Sequence, residues 1–211
     1  MTRGRATIGV DIGGTKTLLA LFDEKFRLLD HIKERTPARE KFEEFLLSSA
    51  AKLARRAERE ARELVGVGVG CAGTVDLRGE LTASPNVPFL AGYPLRSKLA
   101  KAAGAGVTLG NDAQLGLYGE HRLGAAVGLR HVIGAFLGTG VGGALIVDGE
   151  LYRGAGGAAG ELGHFLVSPL GRLAGSERKA TLDDLVSRPG IAGEAAAIAS
   201  RREAPGLERL A

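Results

Sequence analysis

The same local pattern, a strand, a glycine turn and a second strand, occurs twice along this chain of 211 residues. It occupies residues 6–23, where the turn is "GGT", and returns at residues 131–152, where the turn is "TGVGG". Apolar runs bounded by glycine predict strands, and turns of this length join antiparallel neighbours. The repeat therefore predicts two sheets, each opening with an antiparallel hairpin.

The segments that follow each hairpin predict an α/β protein. A third strand is predicted at residues 26–35, and apolar residues with helical spacing then predict a helix over residues 39–64. The run "LVGVGVG" predicts a buried strand after it, so that the first sheet is mixed and has a helical crossover. After a hairpin and a helix, "VTLG" predicts a strand and "NDAQLGLYGEHRLG" a helix, before the pattern restarts. We expect two domains, residues 1–111 and 112–211.

Composition and charge exclude several classes of protein. No apolar run approaches the roughly 20 residues of a membrane helix. The start, "MTRGRATIGVDIGG", lacks an export segment, and the single Cys71 excludes an internal disulfide, so a cytoplasmic protein with a packed cysteine is expected. The net charge is +4, but basic residues alternate with acidic ones along a predicted helix, which argues against a nucleic-acid partner.

Two glycine turns are candidate phosphate sites. In "DIGGTKT", an acid at a strand end precedes a turn whose backbone N–H groups could bind an anion, while Asp11 could hold a hydrated cation; an ordinary hairpin turn explains the residues equally well. The second turn, "LGTGVGG", has the glycine spacing of a dinucleotide fingerprint through Gly138, Gly140 and Gly143, with Glu161 as the acid. That interpretation is disfavoured because a strand, not a helix, follows the glycines.

Two further segments place polar side chains in suggestive positions. Asn111 and Asp112 lie where a predicted strand ends and a helix begins, so Asp112 is either a helix cap or a base facing a substrate hydroxyl. In "GELGH", Glu161 and His164 are three residues apart in a glycine-rich segment suited to binding several hydroxyl groups, although a lone histidine is more often structural.

Taken together, these segments resemble the ROK family (repressors, open reading frames and sugar kinases) of the actin-like ATPase superfamily. The resemblance lies in the order and spacing of "DIGGTK", "SPNVPF", "NDAQLGLYGE", "LGTGVGGALIVDGELYRGAGGAAGELGH" and "SRPGIA", which cover nearly the whole chain. It implies an α/β, actin-like ATPase (ribonuclease H-like) fold with two mixed-sheet domains and a cleft between them. The second domain is expected to be incomplete, because the sequence stops well short of a full family member.

The resemblance also implies roles for individual residues. Asp112 would be the catalytic base of a kinase that transfers the γ-phosphoryl group of ATP, with Mg²⁺ bridging the phosphates. The first phosphate loop would comprise Asp11, Gly13, Gly14, Thr15 and Lys16, and the second Gly138, Thr139, Gly140 and Gly142. The sugar would be bound by Asn86, Asn111, Asp112, Glu161, His164 and Asp183.

One family motif is altered in this sequence. The family places a histidine, three cysteines and a glutamate in the segment that begins at Gly163; here His164 is kept, and Asp183 replaces the glutamate. At the cysteine positions stand Ala174, Ser176 and Thr181. A tetrahedral zinc site needs its thiolates, so no zinc and no protein-bound structural metal are expected. The loop would then be more mobile than a zinc-bound one and ordered by packing of Phe165, Leu166, Val167, Leu170 and Leu182.

The function implied is a carbohydrate kinase acting on a hexose, glucose or an N-acetylhexosamine, with ATP as the second substrate. No nucleic acid or membrane partner is expected, and a homodimer is left open. The alternative is a non-catalytic ROK-type sugar-binding protein or an inactive remnant. A regulator of the family would carry a DNA-binding segment before "DIGGT", and only a few residues precede that strand here.

Overall fold

The computed structural model describes residues 3–172 and 179–201, and within them strands and helices alternate as expected of an α/β protein. The strands are β1 (Gly4–Ile12), β2 (Lys16–Asp23), β3 (Leu28–Arg35), β4 (Arg62–Cys71), β5 (Thr74–Val75), β6 (Leu81–Ala83), β7 (Val107–Asn111), β8 (Val132–Leu137), β9 (Val141–Val147), β10 (Glu150–Tyr152), β11 (Leu166–Arg172) and β12 (Lys179–Thr181). The α-helices are α1 (Arg39–Arg59), α2 (Leu95–Ala103), α3 (Asp112–Leu123), α4 (Leu182–Val186) and α5 (Arg188–Ser200), and 3-10 turns occur at Pro88–Leu90 and Leu162–His164.

The chain divides into two compact units. The first unit comprises residues 1–116 with 154–158, and the second comprises residues 117–153 with 159–211. The division along the main chain falls inside α3. In the described part of the chain, no helix combines the length and the apolar character needed to cross a membrane.

The first unit is built on a five-stranded mixed sheet with the order β3-β2-β1-β4-β7. β1, β2 and β3 pair antiparallel, which confirms the predicted three-stranded opening, whereas β4 pairs parallel with both β1 and β7. The carboxyl ends of three parallel strands therefore meet at one edge, where Ile12 pairs with Cys71 and Cys71 with Asn111. This edge is where Asp11 and Asp112 lie.

Helix α1 covers one face of this sheet. Phe42, Leu46 and Leu53 are completely buried on its apolar side, in the same core as Ile8 and Val69 of the sheet. Burying side chains of this size contributes about 1.5–3 kcal/mol each relative to exposure, so the α1 face is a principal source of the stability of this unit.

The predicted end of this helix, at residue 64, is wrong. α1 ends at Arg59, Ala61 adopts a left-handed conformation with φ of 53°, and β4 begins at Arg62. Residues from Arg62 onward form a strand despite the helical spacing, because Arg62 and Leu64 pair with Gly4 and Ala6 of β1. The spacing of Ala61 and Leu64 continued the helical pattern only by coincidence.

The first half of β4 is also less buried than its sequence predicts. Val67, Val69 and Cys71 are buried, but Val65 is 41% exposed. The alternation arises because, among the described residues, helices cover one face of this part of the strand and leave the other open.

The turn between β2 and β3 is fixed by a buried carboxylate, that of Asp23. Its Oδ1 accepts backbone hydrogen bonds from Lys25 and Arg27, each 2.9 Å, and its Oδ2 accepts from the Arg27 Nε at 2.7 Å. Burial alone raises the pKa of Asp23, but these hydrogen bonds and the charge of Arg27 outweigh it and lower the pKa to about 2.

The second unit contains a three-stranded antiparallel sheet with the order β10-β9-β8. The "DG" dipeptide makes the predicted hairpin turn, since Asp148 and Gly149 both have positive φ, 53° and 83°. Leu117 of α3 packs on Ala144 and Ile146 of β9. The hairpin that opens the first unit thus recurs in the second.

The segment after His164 is ordered differently from our expectation. Phe165, Leu166 and Val167 are 61%, 56% and 43% exposed, so the predicted packing of these side chains is wrong. β11 and β12 instead form a two-stranded ribbon, and the Leu182 N–H donates to the Phe165 carbonyl at 2.9 Å. Backbone pairing in this ribbon, rather than burial of these three side chains, orders the described part of the segment. The Leu170 side chain and residues 174 and 176 lie outside what the structure describes.

Candidate active site

The first glycine loop, residues 13–16, is closed by an internal hydrogen bond and is bound by two hydrogen bonds from Thr36. The Gly13 N–H donates to the Lys16 carbonyl at 3.0 Å, which closes the turn. Thr36, directly after β3, donates its hydroxyl to the Gly13 carbonyl at 2.6 Å and its N–H to the Thr15 carbonyl at 3.0 Å. The buried Thr17 hydroxyl lies 3.0 Å from that of Thr36, and it is the donor there because Thr36 gives its proton to Gly13.

This bracing leaves the outer side of the loop accessible to solvent. Gly14, Thr15 and Lys16 are exposed, so a lysine cation and a glycine turn face solvent together. The sequence predicted the loop but missed Thr36. The signal available was the hairpin register, which pairs Lys16 with Arg35 and so brings the next residue beside the turn.

Asn86 lies directly against this loop. A Cβ added to Gly14 would lie 3.0 Å from both the Cβ and the carbonyl oxygen of Asn86, a distance at which the neighbour must give way. The "SPN" segment therefore packs on Gly14 while the Asn86 side chain stays exposed. The predicted sugar-contacting residue and the predicted phosphate loop are neighbours within the first unit.

Two carboxylates, Asp11 and Asp112, lie at the edge formed by the parallel strand ends. Both residues are exposed, and the Asp112 Oδ1 accepts the Ala113 N–H at 2.9 Å. The pKa of Asp11 is raised, first by partial burial of its carboxyl and then by the negative charge of Asp112. A divalent cation at Asp11 would relieve both effects, and Mg²⁺ is commonly held by one or two carboxylates together with substrate phosphates. The pair fits Mg²⁺ in that way.

Cys71 lies beneath the two carboxylates and is inert. It is completely buried, and burial, followed by the charges of Asp112 and Asp11, raises the pKa of its thiol to about 12. The thiol therefore stays neutral and packs in the core, as expected from the sequence.

Asn111 makes two hydrogen bonds that fix the start of α3. Its Oδ1 accepts the Gln114 N–H at 3.0 Å, the bond of an N-cap residue, and its Nδ2 donates to the Gly73 carbonyl at 3.0 Å. The capping role falls to Asn111, so the adjacent Asp112 occupies the first helical position with its carboxylate exposed. Gln114, to which no motif in the sequence points, is buried and donates to the Gly157 carbonyl at 2.9 Å.

The second glycine loop, residues 138–142, is held at both of its ends. The Gly138 N–H donates to the Gly140 carbonyl at 2.8 Å inside the loop. The Arg188 N–H donates to the Gly138 carbonyl at 2.9 Å, and the Val141 N–H donates to the Asp183 Oδ1 at 2.5 Å. Both outside partners come from the segment spanning α4 and the start of α5, which the sequence did not connect with this loop.

Glu161 directly precedes the 3-10 turn next to β9 in the second unit, and His164 is the last residue of that turn. Their side chains are 41% and 79% exposed, and the His164 Nε2 lies 4.0 Å from the Glu161 Oε2. Gly163 lies between them against the Val141 carbonyl, so closely that a Cβ there would come nearer than 3.0 Å. The turn that carries both polar residues is therefore packed on the strand that leaves the second glycine loop.

Thr181, at a cysteine position of the zinc motif, and Asp183, predicted to bind sugar, lie at the start of α4. Thr181 caps the helix in a capping box: its hydroxyl accepts the Asp184 N–H at 3.3 Å, and the Thr181 N–H donates to the Asp184 Oδ2 at 3.0 Å. Asp183 faces the second glycine loop.

Within the described residues, no three His, Cys, Asp or Glu side chains are grouped so as to hold a metal ion. The absence of zinc stays a prediction, because Ala174 and Ser176 lie outside that part of the chain.

Comparisons with known proteins agree with the fold and with the order of these segments. The model of the ROK family matches residues 7–205. A glucokinase of Streptomyces coelicolor is 38% identical over 170 residues, which are 80% of this chain and 52% of the relative. The N-acetylgalactosamine kinase AgaK of Shewanella sp. strain ANA-3 is 38% identical over 160 residues, 76% of this chain and 51% of that protein. The chain thus spans about half the length of these relatives.

A solved structure gives the same result. The ROK family glucokinase from Streptomyces griseus, in complex with glucose and AMPPNP, superposes with a TM-score of 0.77 at 35% identity, covering 93% of this chain and 62% of that one. The predicted α/β fold of the actin-like ATPase type is therefore confirmed. From the family match and the identity to the two kinases, we conclude that the chain belongs to the ROK family.

Proposed function

We propose that this chain transfers the γ-phosphoryl group of ATP to a hydroxyl of a hexose, either glucose or an N-acetylhexosamine. The observation that carries the proposal is the position of Asp112: an exposed carboxylate on the first turn of α3, beside Asp11 and at the end of a parallel strand. The substrate class is supported by the relatives, which are a glucokinase and an N-acetylgalactosamine kinase.

In the proposed reaction, Asp112 accepts the proton of the attacking hydroxyl. The hydroxyl oxygen forms a bond to the γ-phosphorus, the bond from that phosphorus to the bridging oxygen breaks, and ADP leaves with the electron pair. Asp112 suits this role because Asn111 supplies the helix cap, which leaves an Asp112 oxygen free to face a substrate.

The two glycine loops supply hydrogen-bond donors for the phosphates. In the first unit, the turn at Gly13–Lys16 presents backbone N–H groups and the Lys16 ammonium. In the second unit, the turn at Gly138–Gly142 offers a second set. Asp11 would hold Mg²⁺, which when bound neutralises charge on the phosphate oxygens. Both loops are fixed before substrate arrives, so little of the binding energy is spent on ordering them.

Sugar binding is assigned to exposed polar side chains in each unit. Asn86 and Asp112 contribute from the first, and Glu161 and His164 from the second. Asn111 has one lone pair of its Oδ1 and one amide hydrogen committed within the protein, so it would bind sugar through its second amide hydrogen or the remaining lone pair of Oδ1.

The test is D112N, measured by an ADP-coupled assay over a panel of hexoses with Mg-ATP. General base catalysis contributes about 10²–10⁴-fold, so we expect kcat to fall by at least about 10²-fold with little change in the KM for sugar. D148N is the matched control, because it changes an Asp in an exposed turn of the second unit. Turnover of D112N at the wild-type rate would remove Asp112 from its role.

The alternative is a non-catalytic sugar-binding protein of the ROK type or an inactive remnant. The observation that favours it is the altered family motif, in which Ala174, Ser176 and Thr181 stand at the cysteine positions and Asp183 at that of the glutamate. Calorimetry with a hexose and with Mg-AMPPNP separates the two functions. Binding of sugar without nucleotide supports the alternative, whereas binding of both together with turnover supports the kinase.

A further inference from the structure

We propose that Asp183 is a positioning residue for the second glycine loop and not a ligand of the sugar. The inference rests on the proposed function only in so far as this loop binds nucleotide. It departs from the expectation drawn from the sequence, where Asp183 was assigned to sugar because of the family position it occupies.

The contacts of Asp183 point to the loop. Its Oδ1 accepts the N–H of Val141, the buried residue at the loop's exit, at 2.5 Å. A Cβ added to Gly140 would lie 3.0 Å from the same oxygen and 3.9 Å from Oδ2, so the carboxylate packs on the backbone of the loop. Gly140 is thus needed for the approach of Asp183, in addition to any approach of a phosphate.

The carboxylate is held in place by its own helix. The capping box between Thr181 and Asp184 fixes the first turn of α4, on which Asp183 is the second residue. The Leu182 N–H donates to the Phe165 carbonyl at 2.9 Å, which ties the same turn to the segment after His164. A side chain on a turn with this many constraints can act as a fixed acceptor.

The same segment also holds the loop's entrance. The Arg188 N–H donates to the Gly138 carbonyl at 2.9 Å, while Asp183 holds the Val141 N–H. Arg188 and Asp183, five residues apart in sequence, therefore bind the two ends of the backbone segment from Gly138 to Val141. With the N–H groups of Gly138 and Val141 used inside the protein, those of Thr139 and Gly140 form the part of the turn that is offered to a phosphate.

The bond to Val141 needs an acceptor oxygen on the side chain at this position. Alanine removes that acceptor and leaves the Val141 N–H without it. An asparagine keeps the acceptor oxygen and should preserve the bond to Val141.

The test compares D183N and D183A with wild type in two independent measurements. The first is the hydrogen exchange rate of the Val141 amide, followed by NMR. We expect wild type and D183N to agree within about threefold and D183A to exchange at least about tenfold faster, because its acceptor is lost. The matched control is E194A on α5, an exposed carboxylate with no contact to the loop, which should leave the rate unchanged.

The second measurement is binding of Mg-AMPPNP and of hexose by calorimetry. D183A should weaken nucleotide binding about tenfold and leave the hexose affinity within about twofold, while D183N should bind both as wild type does. The proposal is overturned by wild-type Val141 exchange in D183A, or by a loss confined to hexose binding. If wild type binds no nucleotide, the proposed kinase function fails, and Val141 exchange still decides the role of Asp183.

Discussion

Gly163 offers a sharp test of how the polar residues of the second unit are held. It lies between Glu161 and His164, and its Cα packs against the carbonyl of Val141. A Cβ there would come within 3.0 Å of that oxygen and 3.3 Å from the Val141 Cβ. Because the nearest obstacle is a backbone carbonyl, no rotation of a side chain can relieve it. G163A must therefore move the 3-10 turn away from β9.

The expected cost follows from this displacement. Forcing an extra methyl group into a packed site costs about 1–3 kcal/mol. Alanine also restricts the unfolded chain, which offsets about 0.4–1 kcal/mol of that cost. We expect G163A to lower the free energy of unfolding by about 1–2 kcal/mol. Displacing Glu161 and His164 by about 1 Å should lower kcat/KM for the sugar on the order of 10²-fold.

Urea unfolding and steady-state kinetics measure the two effects. The control is G119A on α3 in the same unit, where an added Cβ meets nothing within 4 Å. Alanine is the better helix former, so G119A should raise the free energy of unfolding by about 0.5–1 kcal/mol and leave kinetics unchanged. If G163A unfolds within about 0.5 kcal/mol of wild type, the close packing of this turn on β9 is refuted.

Two further predictions concern the first unit. The pKa of Asp23 is about 2 in the folded protein, below its ordinary 3.8, so its carboxylate stabilises the fold above about pH 4 and that contribution is lost as the pH falls toward 2. D23N should be less stable than wild type at pH 7, with a difference that shrinks between pH 4 and 2 in urea titrations; a difference independent of pH would contradict the ionised role. Cys71 is buried and the pKa of its thiol is raised to about 12, so the folded protein at pH 8 should resist alkylation by iodoacetamide that goes to completion in urea. Rapid alkylation of the folded protein would show that the strand ends above Cys71 open.

Local patterns predicted the parts of this molecule that depend on neighbouring residues. The strands at residues 16–23 and 107–111, the helix that begins at Asp112 and the turn at Asp148–Gly149 follow from apolar periodicity and turn chemistry. The end of α1 did not, because the left-handed Ala61 is imposed by pairing of Arg62 with Gly4, which is 58 residues away in sequence. Periodicity carries no information about such a partner.

The same distinction separates what was predicted of the site from what was missed. Glycine turns and carboxylates at strand ends are visible in the sequence, and they identified both loops. The side chains that brace the loops are not, because Thr36 bonds to Gly13 across 23 residues and Asp183 bonds to Val141 across 42. Asn111 illustrates the intermediate case: its cap bond to Gln114 is local, whereas its bond to Gly73 depends on the fold.

The capping box at Thr181 and Asp184 has a consequence for how this protein can change. The capping hydrogen bonds of the first turn of α4 lie within four consecutive residues. The conformation of that turn is thus set locally, and the bond from the Leu182 N–H to the Phe165 carbonyl ties it to the chain before the ribbon. Replacements outside these residues can therefore accumulate while Asp183 keeps its place on the helix, because the turn that carries it is specified by its own hydrogen bonds.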